Sequence, residues 1–123
     1  MLIHESLTGK ILGAAIEVSN TLGTGFFEKV YSRALMHEFY LRGLSAEEEV
    51  TFSVMYKDCC VGKYFADLVV EKTVVIELKC AERLTREHMA QCLNYLHASH
   101  LPLCLLLNFQ HPTMEVKRII QNN

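Results

Sequence analysis

Three charged residues of this sequence lie inside apolar segments, where a charge is costly to bury. Asp67 lies in segment 65–70, and Glu77 and Lys79 lie in segment 74–80; both segments are rich in Val, Leu and Ile. Such segments are typical of buried strands, and a buried charge needs a partner or a metal. Two carboxylates and a lysine that meet within a sheet are suited to metal-dependent cleavage of phosphodiester bonds.

The connection between the two strands decides whether these side chains meet. Side chains alternate between the faces of a strand, so Glu77 and Lys79 share one face. A two-residue turn between the strands would place Asp67 opposite Ile76, whereas a three-residue loop at 71–73 places it opposite Glu77. A shared site therefore predicts the longer loop, or a bulge near Asp67.

The residue types in this group indicate their roles. Mg²⁺ and Mn²⁺ prefer oxygen ligands, which Asp67, Glu77 and the backbone carbonyl of Leu78 could supply. Lys79 could orient the attacking water or stabilise the charge that develops on the phosphate. The alternative interpretation is an ion pair between Lys79 and one acid on a neighbouring strand, since an isolated D…E-x-K pattern is common by chance.

Two pairs at helical spacing add further candidates. Gln91 and Tyr95 are one turn apart in a helix predicted over 86–99, where Gln91 could hold a metal-bound water or an acid of the site and Tyr95 could contact a substrate phosphate. Glu28 and Tyr31 are one turn apart at the start of another helix, and Glu28 is a candidate third carboxylate. Both pairs also fit structural roles, at a half-buried helix border and at a helix N-terminus.

The remaining pattern predicts one domain, residues 1–123, with an α/β fold in which helices flank a mixed sheet. In the second helix the spacing predicts Val30, Ala34, Leu35 and Leu41 as buried positions. We expect the apolar strand at 103–109 to be central and parallel to a neighbour, because a helix crossover precedes it. The predicted order is α-α-β-β-β-α-β-β, over residues 5–22, 27–42, 49–56, 61–70, 74–80, 86–99, 103–109 and 114–120.

The composition is that of a compact soluble protein. Half of the 123 residues are hydrophobic and 21% are charged. No run reaches the roughly 18 apolar residues of a membrane span, and the N-terminus lacks a signal-peptide pattern, which predicts a cytoplasmic protein. The net charge of −2 does not indicate the strongly basic surface with which proteins usually hold nucleic acid, so binding to DNA is expected to be weak without a partner. Lys79, Arg83 and Arg86 could still form a local basic rim.

The cysteines form no disulfide or zinc pattern. Their number is odd and no C-x-x-C pair occurs, which predicts free, buried thiols in a reducing compartment. The five are Cys59, Cys60, Cys80, Cys92 and Cys104.

These elements together resemble the GxxExxY proteins, a bacterial and archaeal family within the PD-(D/E)XK nuclease superfamily. The resemblance covers nearly the whole chain, and it includes Gly25-Phe26-Phe27-Glu28-Lys29-Val30-Tyr31. Thr24 stands where members often carry proline, and Ser19 where histidine is frequent. The other matching segments are 22–24, 41–44, 67–70, 75–79, His88-x-x-Gln91-x-x-Asn94-Tyr95-Leu96 and 106–109.

The sequence also resembles the motif set of RecB-type exonuclease domains. The resemblance implies a restriction-endonuclease-like sheet core flanked by helices and a Mg²⁺- or Mn²⁺-dependent nuclease. It implies Asp67 and Glu77 as metal ligands, Lys79 as the catalytic lysine and Glu28 as the acid that completes the site. The matching elements are Gly62, Asp67, Glu77-x-Lys79 and Gln91-x-x-x-Tyr95.

Two other hypotheses keep the fold without catalysis. One is a module that binds nucleic acid or a protein, which the acidic net charge favours; the intact D…E-x-K set with Gln91 favours the nuclease, since a degenerate domain would be free to lose one of these residues. The other is a stand-alone metal-binding regulator. Apolar residues such as Phe26, Phe27 and Phe39 predict a face that a second copy, in a homodimer, or a protein partner covers.

Overall fold

The helices and strands of the computed structural model follow the predicted order. The structure describes residues 4–121. The elements are α1 (Glu5–Leu22), α2 (Glu28–Leu41), β1 (Ala46–Tyr56), β2 (Cys59–Val70), β3 (Val74–Lys79), α3 (Arg86–Ser99), β4 (Leu103–Asn108) and β5 (Glu115–Ile120). The sheet has the order β1-β2-β3-β4-β5, with β3 and β4 parallel and the other neighbours antiparallel. The predicted α/β class and the parallel pairing of β4 are confirmed.

Helices cover both faces of the sheet and form two hydrophobic cores. The α1–α2 core includes Ile76 and Leu105, and the α3 core includes Val75 and Leu106. β3 and β4 are buried along nearly their whole length, because helices cover this parallel pair on both sides. A charged residue in β3 is therefore placed where its burial is costly. Within residues 4–121, no helix is both long enough and apolar enough to span a bilayer.

The buried face of α2 differs from the predicted one. Tyr31, Leu35 and Phe39 are fully buried, whereas Val30 and Leu41 are exposed. Residues four apart lie on one face of a helix, and the two aromatic rings bury more apolar surface than the aliphatic residues beside them. The prediction was therefore wrong for Val30 and Leu41. The expectation that Phe39 contributes to a partner surface is also wrong, because its ring lies in the α1–α2 core.

The cysteines are all free, but their burial is not uniform. Cys92 and Cys104 are buried and Cys80 is intermediate, whereas Cys59 and Cys60 are exposed. β1 and β2 have 11 and 12 residues against 6 in β3, so the β1–β2 hairpin extends past the end of β3. The prediction of buried thiols is wrong for Cys59 and Cys60, because they lie near the tip of this hairpin.

A three-residue loop between β2 and β3 sets the register of the charged residues. Leu68 pairs with Ile76, so the same register places Asp67 opposite Glu77. This loop length is the one that a shared site predicts. Pairing of the two strands ends at Leu68 and Ile76, and the ladder does not continue to the two acids.

β2 also rotates about its own axis at Asp67, so that residues on either side of Asp67 face different cores. Leu68 packs in the α1–α2 core, whereas Ala66, two residues earlier, packs in the α3 core. Residues two apart in a regular strand share a face, so β2 rotates between them as a strand does at a bulge. On β1, Glu49 has a φ of 53°, and the regular pairing of β1 with β2 skips Glu49 and Asp67. This rotation releases the Asp67 side chain from both cores.

We predict that Lys72→Gly stabilises the protein. Lys72 is exposed and has a φ of 52°, a left-handed conformation that costs a non-glycine residue about 1–2 kcal/mol. Glycine avoids this cost but loses more backbone entropy on folding, so we expect the free energy of unfolding to rise by about 0.5–1 kcal/mol. Thermal or chemical unfolding measures the change. Thr73→Gly, at the next loop position, is the control and should destabilise; a lower stability for Lys72→Gly would contradict this loop conformation.

Candidate active site

Asp67 and Glu77 meet where the hydrogen-bond ladder between β2 and β3 ends. The Asp67 N–H donates to Glu77 Oε1 (2.9 Å), and the Leu78 N–H donates to Asp67 Oδ2 (2.8 Å). Each carboxylate thus accepts a backbone N–H that a continued ladder would have given to the neighbouring strand. The two acids are held between the strands by backbone groups, and their positions follow from the sheet.

Burial raises the pKa of both acids. Glu77 is only 3% exposed, and burial, followed by the charge of Asp67, raises the pKa of Glu77 to about 8. Burial is also the main reason that the pKa of Asp67 is raised, and the charge of Glu28 adds to it. At neutral pH the pair therefore retains a proton, and a cation between the two carboxylates would relieve their repulsion.

Glu28 reaches the acid pair from the start of α2. Its Oε2 accepts a hydrogen bond from the Cys80 N–H (3.1 Å), just after the end of β3. Glu28 and Asp67 line the same cleft of about 610 Å³ between α2 and the sheet. This acid cleft, as we call it, also contains Phe26, Phe27, Lys29 and Glu49 in its walls.

Tyr31 holds the segment between α1 and α2 in place. Its buried ring stacks on Phe109, with 4.7 Å between the ring centroids. Its hydroxyl donates to the Gly23 carbonyl (2.7 Å) and accepts from the Phe26 N–H (3.4 Å). The tyrosine therefore fixes the turn that precedes Glu28.

Lys79 and Gln91 meet beneath α3, on the face of β3 that Glu77 shares, and the positive charge of Lys79 partly offsets the rise in the pKa of both acids. Lys79 Nζ donates to Gln91 Oε1 (3.4 Å), and Gln91 Nε2 donates to the Tyr95 hydroxyl (3.1 Å). Tyr95 is 4% exposed, and burial, with the charges of Glu77 and Asp67, raises the pKa of its hydroxyl. The structure thus joins these three residues of the predicted site in one hydrogen-bonded chain.

The acids of the predicted site form a pair with a third acid nearby. In the described chain, residues 4–121, no group of three or more His, Cys, Asp or Glu side chains is set to hold a metal ion. Asp67 and Glu77 are adjacent, and Glu28 is close enough to raise the pKa of both. Mg²⁺ usually takes one or two carboxylates and keeps several waters. The adjacent pair therefore has the donor chemistry that a divalent cation requires.

Sequence reasoning missed the role of Asn108, which is fully buried at the end of β4. Its side chain accepts from the Ala81 N–H (3.0 Å) and donates to the Ala81 carbonyl (2.8 Å) and to Glu115 Oε1 (3.2 Å). These bonds hold the segment that joins β3 to α3, and so the position of Lys79 relative to Gln91. The sequence signal for this role was an asparagine at the end of an otherwise apolar strand.

Comparison with known proteins agrees with this mixed sheet flanked by helices. A family model for the PD-(D/E)XK nuclease superfamily matches residues 5–119. The chain belongs to the PD-(D/E)XK nuclease superfamily. The crystal structure of SSO0001 is similar in fold, with a TM-score of 0.57 and 18% identity; the match covers 77% of this chain and 50% of that one, so this chain spans about half its length. A search of curated proteins found no match.

The raised pKa of Glu77 predicts that Glu77→Gln changes how stability depends on pH. The folded protein binds the Glu77 proton more tightly than the unfolded chain, so wild-type stability should fall as the pH rises from about 4.5 to about 8. Glutamine keeps an acceptor for the Asp67 N–H without this titration. We expect the variant to be more stable than the wild type above this range by roughly 2–5 kcal/mol, measured by chemical denaturation.

Glu48→Gln is the matched control, because Glu48 is an exposed acid on β1. It should leave the dependence of stability on pH unchanged. Equal pH dependence in the wild type and Glu77→Gln would contradict a buried, destabilised carboxylate at this position.

Proposed function

We propose that the chain is a Mg²⁺- or Mn²⁺-dependent nuclease that hydrolyses phosphodiester bonds in DNA. The observation that carries the proposal is the acid pair, Asp67 and Glu77, held by backbone N–H groups at the end of the β2–β3 ladder. Such a pair costs stability, and membership in the PD-(D/E)XK nuclease superfamily supports a catalytic reason for it. The anchored segment from Gly25 to Tyr31 supports the narrower assignment to the GxxExxY proteins.

Asp67 and Glu77 are the proposed metal ligands, with Glu28 and the Leu78 carbonyl as further oxygen donors. The N–H and C=O of a strand residue point toward the same neighbouring strand. Because the Leu78 N–H points to Asp67, its carbonyl faces the same gap between the strands. These oxygens would hold a divalent ion, which would polarise the phosphate and lower the pKa of a bound water.

Lys79 is the proposed catalytic residue that orients the attacking water or stabilises charge on the phosphate. Its ammonium group donates to Gln91, which is in turn held by Tyr95. This chain restricts the rotamers of the lysine before substrate binds, which lowers the cost of placing its charge. Since Tyr95 is buried and its hydroxyl contacts Gln91, we assign Tyr95 a positioning role in place of the phosphate contact expected from the sequence.

A non-catalytic module that binds nucleic acid or a protein is the second candidate. Two observations favour it: the net charge of −2 and, within residues 4–121, the lack of a three-donor metal group. A module of this kind would keep its binding after both acids are replaced. A nuclease would lose its activity when either acid is replaced. Substitution of Glu77 therefore distinguishes the two functions.

The test is cleavage of single-stranded and duplex DNA and RNA in Mn²⁺ or Mg²⁺. Relative to the wild type, Glu77→Gln removes a proposed metal ligand and Lys79→Met removes the proposed catalytic charge. We expect each to lower the cleavage rate by roughly 10²- to 10³-fold. Gln91→Leu removes only the orienting bond, and we expect a loss of roughly 10- to 100-fold.

Two exposed residues supply controls with the same charge changes. Glu48 and Lys72 are exposed and lie outside the site, so Glu48→Gln and Lys72→Met should retain the wild-type cleavage rate. Cleavage that is unchanged in Glu77→Gln would contradict the proposed active site. Binding of nucleic acid by the folded wild type, with no cleavage of any substrate in either metal, would favour the binding module.

A further inference from the structure

We infer that the acid cleft binds an unpaired nucleobase on the ring of Phe27, so that the substrate is single-stranded at the position of cleavage. The inference rests on the proposed nuclease function and narrows its substrate class. The observations behind it are an exposed aromatic ring, a cation and the acid Asp67, which all lie in the walls of one cleft.

The ring of Phe27 is available for stacking. Phe27 is 84% exposed, more than any other large hydrophobic residue within 4–121. Phe26 makes an edge-to-face contact with Tyr31 (6.1 Å between centroids), whereas the described chain places no aromatic ring against Phe27. Proteins that bind single strands use such rings as platforms, because every base has a flat π-face that can cover them.

The backbone around Phe27 is fixed on both sides. The preceding residue, Phe26, donates its N–H to the Tyr31 hydroxyl, and its carbonyl accepts from Cys80 Sγ (3.6 Å). The following residue, Glu28, accepts from the Cys80 N–H. The ring is therefore presented from an ordered turn, and a base that stacks on it pays little for ordering the protein.

Lys29 supplies a cation in the same cleft. Its ammonium group pairs with Glu49 on β1, across the cleft from α2. A lysine ammonium has three N–H donors, and Glu49 uses one of them through a single carboxylate oxygen. The others can contact a backbone phosphate, which gives the combination of stacking ring and positive charge found at single-strand sites.

The overall charge favours this mode of binding over duplex recognition. A protein with a net charge of −2 gains little affinity from phosphates alone, so the bases must contribute. In a duplex the faces of the bases are covered by their neighbours, and exposing one costs unstacking energy. Phe27 can therefore add affinity for a single strand and little for an intact duplex.

The experiment measures binding of a fluorescein-labelled oligothymidine and of a duplex of equal length by fluorescence anisotropy, in Ca²⁺ and under conditions checked to be free of cleavage. We expect Phe27→Ala to weaken single-strand binding by roughly 5- to 150-fold and duplex binding by less than about 2-fold. Phe27→Trp should retain or tighten single-strand binding. Tyr40→Ala is the matched control, because Tyr40 is a 77% exposed aromatic on α2 outside the cleft, and it should change neither affinity.

A second measurement tests stacking without relying on the protein variant alone. An abasic site is moved along the oligothymidine, and we expect the wild type to lose affinity at one position and Phe27→Ala to be insensitive at every position. The slope of the logarithm of the binding constant against the logarithm of the salt concentration should be shallower than about −2, because Lys29 and Lys79 are the cations that the site offers to phosphates.

Several outcomes would overturn the inference. They are equal losses on single strands and duplexes, an equal loss in Tyr40→Ala, no loss in Phe27→Ala, and no binding of either oligonucleotide by the wild type. Self-association abolished by Phe27→Ala, with oligonucleotide binding unchanged, would assign the ring to a second copy of the chain. Cleavage that depends on Glu77 but not on Phe27 would overturn this inference alone, whereas Phe27-dependent binding without cleavage would support it and contradict the proposed hydrolysis.

Discussion

The burial of an acid in a central strand is the constraint on which the rest of this structure depends. Glu77 lies in β3, which helices cover on both sides, and its carboxylate cannot be hydrated as it would be at the surface. The ladder with β2 ends before Glu77, so that a backbone N–H becomes available to its carboxylate and another to Asp67. The interruption of the sheet and the acid pair are thus one structural feature.

Two anchors outside the acid pair place the other groups around it. On the α2 side, Tyr31 fixes the turn before Glu28. On the α3 side, Asn108 fixes the segment between β3 and α3, and therefore the distance between Lys79 and Gln91. Both anchors are buried polar side chains whose hydrogen bonds are satisfied within the protein, which gives a small sheet the rigidity that a positioned site requires.

The sequence was informative where one pattern dominated. The order of elements followed from apolar periodicity, and the loop at 71–73 followed from the requirement that Asp67 oppose Glu77. The buried face of α2 was misjudged, because Tyr31 and Phe39 compete with aliphatic residues for the core and spacing alone does not rank them. The rotation of β2 at Asp67 lies opposite a left-handed residue on β1, and Asn108 makes its contacts with a segment 27 residues away in sequence. Neither leaves a local pattern.

Calorimetric titration with Mn²⁺ near neutral pH, in buffers of different ionisation enthalpy, tests most directly whether a metal takes the place of the proton on the acid pair. Because the pKa of Glu77 is raised to about 8, metal binding should release about one proton from the wild type. Glu77→Gln should bind more weakly and release none at this position. Binding by the wild type without proton release, or equal binding by the variant, would contradict a metal site between Asp67 and Glu77.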